Sequence, residues 1–143
     1  GCGVFRNFLH IFQTQSTTHG FNFPYQLGYG STTVPSNGTL ENIIVENNDI
    51  LVCASDGLWD NVFIHRIENI LKDTYTLYED DQKKFVTEAA ESLARQAFEN
   101  GSNTDYESPF YLEAKKIDSR MPKGGKLDDI TVVVSLINQN HDL

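Results

Sequence analysis

The first forty residues of the chain lack acidic side chains: none occurs before Glu41, and Arg6 is the sole lysine or arginine among them. Over all 143 residues, 20 aspartates and glutamates outnumber 11 lysines and arginines, which gives a formal net charge of −9. This shortage of positive charge argues against broad binding to a nucleic-acid backbone, which requires a cationic face. Every carboxylate that could hold a metal ion or a proton therefore lies after residue 40.

Cysteine and long apolar segments are also scarce. No apolar run approaches the roughly 20 residues that a membrane-spanning helix requires, so we expect no membrane span. The two cysteines, Cys2 and Cys53, are too few for a disulfide framework, which favours a reducing, intracellular compartment. Cys53 lies in an apolar run, where a buried reduced thiol is the usual state. No secretory or transit pattern is visible, and any targeting segment is expected upstream.

Hydrophobic patterning predicts four strands in a chain of single-domain length. A strand is expected within residues 4–12, and a β-branched strand over residues 130–137. Residues 40–46 and 49–54 are predicted to form a hairpin around Asn47-Asn48, because asparagine tolerates the backbone conformation of tight turns. The second arm of this hairpin is apolar on both faces and should be a buried strand.

Two helices are predicted between these strands. The first begins near Phe63, with Asp60 or Asn61 as its cap. The second covers residues 81–98, and its apolar stripe consists of Val86, Ala90, Leu93 and Ala97. Residues 101–127 are expected to be irregular. Strands and helices thus come in blocks, a pattern that favours the α+β class with an antiparallel sheet.

Acidic residues occur where two of these strands meet loops. Asp56-Gly57 follows the strand that ends near Ala54, and Asp128-Asp129 precedes the last strand. If the two strands are antiparallel neighbours, the three carboxylates converge at one edge of the sheet. Clustered oxygen ligands on rigid strands suit hard divalent cations such as Mg²⁺ or Mn²⁺.

The residues alone leave simpler interpretations open. Asp56-Gly57 could be only a turn, and Asp128-Asp129 only a solvated loop end. Asp60 fits a helix cap better than a ligand, and Trp59 fits an anchor between sheet and helix better than a platform for substrate.

Longer motifs resemble a known family. Residues 50–61 (ILVCASDGLWDN) are similar to the apolar-strand, Asp-Gly-x-Trp/Phe-Asp motif of metal-dependent Ser/Thr protein phosphatases of the 2C type. Residues 128–134 (DDITVVV) look like the C-terminal Asp-Asn/Asp-x-Thr/Ser motif of that family. Segments 21–27, 108–110 and 124–129 are similar to its organellar branch, typified by mitochondrial members and plant relatives.

The resemblance implies a fold, a metal centre and a reaction. The family fold is an α-β-β-α sandwich, two antiparallel β-sheets flanked by helices, with a two-metal centre at one end. By motif match Asp56 and Asp128 would ligate Mg²⁺ or Mn²⁺. Asp129 would lie behind a ligand or replace one, and Gly57 would permit the tight exit from the strand. Members hydrolyse phosphoserine and phosphothreonine on phosphoprotein substrates by attack of a metal-bridging water, so no side chain of this chain is expected to be a nucleophile.

The family pattern also contains parts that this chain does not match. These are an upstream Asp-Gly metal motif, a nearby acidic residue, and a basic residue that holds phosphate. We therefore expect residues 1–143 to be the C-terminal portion of a single 2C-type domain, whose partner is the missing N-terminal half. The activity would then belong to the complete protein, and loss of strands would leave open sheet edges.

Two other hypotheses compete with this one. The chain could belong to a phosphatase-like module that binds partners without catalysis, for which an incomplete acidic site would suffice. It could also carry a structural cation site in an unrelated α+β domain. The upstream coding sequence distinguishes the first two, because an Asp-Gly after an apolar strand there would support the enzyme.

Overall fold

A four-stranded antiparallel sheet organises the computed structural model, which describes residues 1–138. The strands are β1 (Cys2–Arg6), β2 (Leu9–Gln13), β3 (Thr18–Gly20), β4 (Phe23–Pro24), β5 (Ile50–Ala54) and β6 (Val132–Leu136). The strands of the large sheet lie in the order β2-β1-β5-β6, and a separate two-stranded hairpin pairs β3 with β4. The helices are α1 (Asp56–Trp59), α2 (Ile64–Leu77), α3 (Gln82–Gly101) and α4 (Pro109–Ile117), with a 3₁₀ turn at Pro35–Asn37.

The single strand predicted within residues 4–12 is wrong, because β1 and β2 form a hairpin there. Arg6 pairs with Leu9, so the turn consists of Asn7 and Phe8, at φ angles of 51° and 64°. Two consecutive residues at positive φ match the twist of antiparallel strands. Phenylalanine is an unusual residue for this conformation, and its ring packs against Tyr75 with 5.2 Å between centroids.

The predicted hairpin of 40–46 with 49–54 is also wrong in its first arm. Residues 40–46 form no strand, and β5 pairs instead with β1 and β6. The Arg6 guanidinium holds the preceding loop: it donates to both carboxylate oxygens of the buried Asp49 at 2.9 Å and to the backbone oxygen of Ile44 at 3.3 Å. Asn48 has a φ of 69°, so the expectation of a tight asparagine turn is confirmed.

The two predicted helices are present as α2 and α3, the predicted cap of α2 is wrong, and the helices α1 and α4 were not predicted. Helix α2 begins after Phe63, which makes no side-chain cap, so neither Asp60 nor Asn61 caps it. Helix α3 is capped by Asp81, whose side chain accepts from the backbone of Lys84. Helix α4 lies within the stretch expected to be irregular. Its start is defined by Ser108, whose hydroxyl accepts from the backbone of Tyr111.

The core lies between one face of the large sheet and helices α1 to α3. Helix α3 contributes a fully buried stripe, while Val86 and Ala90 of the predicted stripe only pack at its border. The members fully excluded from solvent include Phe5, Val52, Leu58, Ile67, Leu71, Phe85, Ala89, Leu93 and Ala97. The α+β class with antiparallel sheets is confirmed. None of the helices in residues 1–138 is long and apolar enough to span a membrane.

Replacing Leu93 by alanine should remove a central part of this core. The side chain is 0% exposed, and truncating a buried leucine costs about 2–5 kcal/mol. We expect the free energy of unfolding in urea to fall by that amount. Leu77→Ala is the matched control, since Leu77 is 74% exposed at the end of α2. Equal effects of the two substitutions would contradict the assignment of the core.

Candidate metal centre

The pairing of β5 with β6 brings the two acidic motifs together. Ala54 lies opposite Val132, so the end of β5 is beside the start of β6. Ser55 extends this contact, because its hydroxyl donates to the backbone oxygen of Asp129 at 2.8 Å and accepts from the amide of Thr131 at 3.0 Å. The two strands are therefore antiparallel neighbours, which was the condition for the convergence of the carboxylates. This pairing places Asp56 and Asp128 at the same edge of the sheet.

Three carboxylates at this edge share one ammonium group, that of Lys126. Its Nζ lies 2.7 Å from Asp128 Oδ2, 2.8 Å from Asp60 Oδ2 and 3.1 Å from Asp56 Oδ2. The same Nζ lies 5.3 Å from the centre of the Phe110 ring. We call Asp56, Asp60, Asp128 and Lys126 the acidic cluster.

The acidic cluster contains Asp60 and Lys126, which were not predicted to join it, and lacks the predicted carboxylate of Asp129. Asp60, predicted as a cap, is a full participant, and the spacing Asp-Gly-x-x-Asp could have indicated this, since one helical turn brings Asp56 and Asp60 to the same side. Asp129 takes part through its backbone, whose amide donates to Asp128 Oδ1 at 2.9 Å.

The buried side chain of Asn61 fixes the acidic cluster in place, although the sequence reading missed this role. Its amide nitrogen donates to the backbone oxygens of Gly57 at 2.9 Å and Lys126 at 2.7 Å. Its oxygen accepts from the amide of Lys126 at 2.8 Å. Asn61 is 0% exposed, and its backbone oxygen accepts in turn from the Asn100 side chain. One residue thus connects the end of α1, the end of α3 and the loop before β6.

Two glycines are required here by close approach of the backbone. A Cβ on Gly57 would lie 2.5 Å from the backbone oxygen of Asp129, and one on Gly125 would lie 2.0 Å from that of Asn100. Gly57 was expected to ease the exit from the strand, whereas its contact with the Asp128-Asp129 loop is the constraint that the structure shows. Any side chain at either position would displace that loop.

Trp59 joins α1 to the sheet, as the anchor interpretation expected. Its indole Nε1 donates to the backbone oxygen of Ala54 at 3.3 Å. Its ring covers Gly3 of β1, where an added Cβ would lie 3.1 Å from the indole. The residue therefore fixes the short helix that carries Asp56 and Asp60 against β1 and β5.

Burial and charge act against each other within the acidic cluster. Burial raises the pKa of Asp60, and the hydrogen bond from Lys126 opposes that rise without cancelling it. The hydrogen bond from Lys126 lowers the pKa of the more exposed Asp128. Burial alone would lower the pKa of Lys126, but its hydrogen bonds to the three carboxylates raise it above the usual value. The ammonium group therefore stays charged across the physiological range.

The donor set of the cluster suits a hard cation. Its ligating atoms are carboxylate oxygens on a strand end, a short helix and a loop held by Asn61, the oxygen chemistry that Mg²⁺ and Mn²⁺ prefer. Within residues 1–138, no three acidic, histidine or cysteine side chains are arranged to hold a metal ion directly. The three carboxylates of the cluster are arranged around the ammonium group instead. The residues present fit such an ion by their chemistry, and Lys126 takes the central position between them.

A cavity of about 470 Å³ opens beside the acidic cluster. Asp56 and Asp60 line it, together with Phe21 and Phe110, whose ring centroids lie 5.3 Å apart. The polar segment 16–18 also lines it. Two of the three carboxylates of the cluster, Asp56 and Asp60, thus border a space that is large enough for a small side chain and its solvent.

Comparison with known proteins places these features in a family context. The chain is 36% identical to "Probable protein phosphatase 2C 26" of Arabidopsis thaliana over 138 residues, a match that covers 89% of this chain and 43% of the relative. It is 34% identical to "Protein phosphatase 2C homolog 7, mitochondrial" of Saccharomyces cerevisiae over 152 residues, covering 93% of this chain and 42% of that protein. No family model matches the chain.

A solved structure has the same fold. The photosystem II phosphatase PBCP superposes with a TM-score of 0.77 at 25% identity, over 96% of this chain and 55% of that one. The chain spans less than half the length of the curated relatives named above.

Replacing Asn61 by alanine should destabilise the chain and loosen the Lys126 loop. The change leaves the buried carbonyl of Gly57 and the partly buried backbone groups of Lys126 without their Asn61 partner. A fully buried unsatisfied group costs about 1–3 kcal/mol, and a partly buried one costs less. We expect a lower free energy of unfolding and faster hydrogen exchange at the Lys126 amide. The exposed Asn69 on α2 provides the control, since Asn69→Ala should neither lower the free energy of unfolding nor change exchange at Lys126. Unaltered exchange at Lys126 in N61A would refute the role of Asn61.

Replacing Lys126 by methionine should raise the pKa of Asp60 further. Lys126 is the group that lowers this pKa, while burial and the charges of Asp56 and Asp128 raise it. In the variant, Asp60 should therefore bind its proton at a higher pH, as followed by carboxyl carbon chemical shifts with a chelator present. Lys116→Met is the control, because Lys116 pairs with Glu113 on α4. A lower or equal Asp60 pKa in K126M would contradict this charge arrangement.

Proposed function

This chain belongs to the family of 2C-type protein phosphatases, and from that premise we propose that the whole protein hydrolyses phosphoserine and phosphothreonine on proteins in a metal-dependent reaction. We propose further that residues 1–143 form the C-terminal portion of its single phosphatase domain. The remainder of the domain would supply the other metal ligands and the group that holds phosphate.

One observation supports this proposal above the others. Asp56 and Asp128, the two residues that match the ligand positions of the family motifs, lie 3.1 Å and 2.7 Å from a common cation, the Lys126 ammonium. Their sequence positions are far apart, and the pairing of β5 with β6 brings them together. A site with this convergence of carboxylates at a strand edge is suited to a divalent cation in the complete domain.

Each residue has a distinct proposed role. Asp56 and Asp128 would hold Mg²⁺ or Mn²⁺, and Asp60 would hold a further oxygen toward the same centre. When bound, such ions supply a water of lowered pKa and neutralise the charge of a phosphoryl group. Asn61 and Gly57 would keep the Asp128 loop within reach of Asp56. The adjacent cavity, lined by Phe21 and Phe110, would accept the side chain that carries the phosphate.

A second candidate function rests on Lys126. An ammonium group between three carboxylates can replace a metal ion as their counter-charge. A non-catalytic, phosphatase-like interaction module would need such a counter-charge, because it would bind no metal ion at these carboxylates. The two functions predict different binding of Mn²⁺. In the enzyme, Mn²⁺ would displace the Lys126 ammonium from the carboxylates, whereas in the module the ammonium would stay in place.

We also propose an organellar location, in mitochondria or another organelle. The support is similarity to a yeast relative whose name includes "mitochondrial", together with the branch-specific segments of the sequence.

Substituting Asp56 or Asp128 by asparagine in the whole protein should abolish most of its turnover. Either change removes a charged ligand, for which we expect a loss of at least about 100-fold in Mn²⁺-dependent hydrolysis of p-nitrophenyl phosphate and of a phosphothreonine peptide. Circular dichroism should show that the fold is retained. Asp118→Asn serves as the control, because Asp118 pairs with Arg120 at the end of α4, away from the cluster.

Wild-type rates for both D56N and D128N would disprove the site assignment. Absence of chelator-sensitive turnover in the wild-type whole protein would instead favour the non-catalytic module. Turnover by residues 1–143 alone would contradict the proposal that the rest of the domain supplies essential ligands.

A further inference from the structure

The two cysteines of the chain lie opposite each other on neighbouring strands of the large sheet. Cys2 on β1 is paired with Cys53 on β5, and their sulfur atoms lie 2.6 Å apart. That distance is well inside the usual contact distance of two thiols and about 0.6 Å longer than the disulfide bond length of about 2.05 Å. Both residues are free and partly buried. They are separated by 51 positions in the chain, so the fold and not the local sequence brings them together.

The type of strand pair allows a bond between these residues. Gly1 and Ala54, the neighbouring pair, exchange both backbone hydrogen bonds, at 2.7 Å and 2.9 Å. In an antiparallel ladder the next pair is then non-hydrogen-bonded, the type in which the Cα atoms lie closest, at about 4.5 Å. The backbone of Cys2 confirms this, because its amide and carbonyl both bond to Thr14 on the opposite side. A Cα separation of about 4.5 Å lies within the range that disulfides span.

We propose that Cys2 and Cys53 are a disulfide-forming pair, oxidised by a small-molecule disulfide such as oxidised glutathione. The sulfur of one cysteine attacks the glutathione disulfide, forming a mixed disulfide and releasing one glutathione thiolate. The sulfur of the second cysteine attacks the mixed disulfide, forming the Cys2–Cys53 bond and releasing the second thiolate. The two protons of the cysteine thiols go to the two glutathione thiolates, so two thiols are oxidised and one disulfide is reduced.

The rate of this exchange depends on pH. Burial and the hydrogen bond with Cys2 raise the pKa of the Cys53 thiol to about 11. Because the thiolate is the reacting form, a thiol at Cys53 reacts slowly near neutral pH and faster in alkaline buffer.

The bond would tie β1 to the strand that leads into the acidic cluster. Cys53 precedes Ala54, whose backbone oxygen accepts from Trp59, and Asp56 follows two residues later. A covalent link at this pair would hold the end of β5 against β1 and restrict separation of the two strands. The inference is independent of the proposed catalytic activity, since it concerns thiol chemistry alone.

The test measures the disulfide equilibrium of the full chain. Samples are equilibrated at pH 8 in glutathione buffers of graded reduced-to-oxidised ratio, quenched with acid, alkylated and weighed by mass spectrometry. Peptide mapping without reductant then identifies linked peptides. We expect the folded chain to hold an intramolecular Cys2–Cys53 bond under conditions at least about tenfold more reducing than those needed by the same chain in urea.

The single variant Cys53→Ser is the matched control and should form only a mixed disulfide with glutathione at Cys2. The proposal is overturned if the folded chain remains a dithiol, or carries only mixed disulfides, at ratios where the chain in urea has closed its bond. A bond that forms equally well in folded and unfolded chains would also overturn it, because the strand pairing would then provide no advantage.

Discussion

The buried amide of Asn61 is the contact on which the acidic cluster depends. It bonds to both backbone groups of Lys126 and to the carbonyl of Gly57. The side-chain amide thus makes the two hydrogen bonds to Lys126 that a neighbouring strand would make in a sheet. Inside the protein each of these groups would be costly without a partner. The loop therefore has one favourable position, and Asp128 is held near Asp56 through that position rather than through a direct contact between the two carboxylates.

The acidic cluster carries more negative than positive charge, with three carboxylates around one ammonium group. One ammonium cannot neutralise three carboxylates. Burial raises the pKa of the most enclosed of them, Asp60, and the charges of Asp56 and Asp128 add to that rise. A doubly charged ion would balance the carboxylates better, but it would have to displace the Lys126 side chain from the same oxygens. Only the four methylenes and the ammonium need to move, because Asn61 holds the backbone of Lys126. The backbone of the loop would thus stay fixed while the Lys126 side chain moved away from the carboxylates.

The sequence predicts the parts that depend on local pattern. Asp56 and Asp128 lie at the ends of apolar runs, so the sequence predicts their meeting on the condition that the two strands are antiparallel neighbours, since such strands place opposite ends together. The structure supplies that condition. Helix α4 was missed, since its signal, Ser108 followed by Pro109, is short and lies among glycines and charges. The β1–β2 turn was missed because Phe8 occupies a position that usually holds glycine. Asn61 and Lys126 were missed as partners, since a contact across 65 positions leaves no periodic trace.

The order in which the sheet can assemble follows from its strand order. Strand β5 lies between β1 and β6, and the hydrogen bonds of Ser55 to the start of β6 connect residues 76 positions apart. During synthesis, β1, β2 and β5 emerge before β6, so the edge of β5 that holds β6 stays unpaired by it until β6 has left the ribosome. Closing so long a loop is slow. Until then the nascent chain exposes a row of backbone donors and acceptors in an apolar strand, the kind of surface that chaperones and other nascent strands bind.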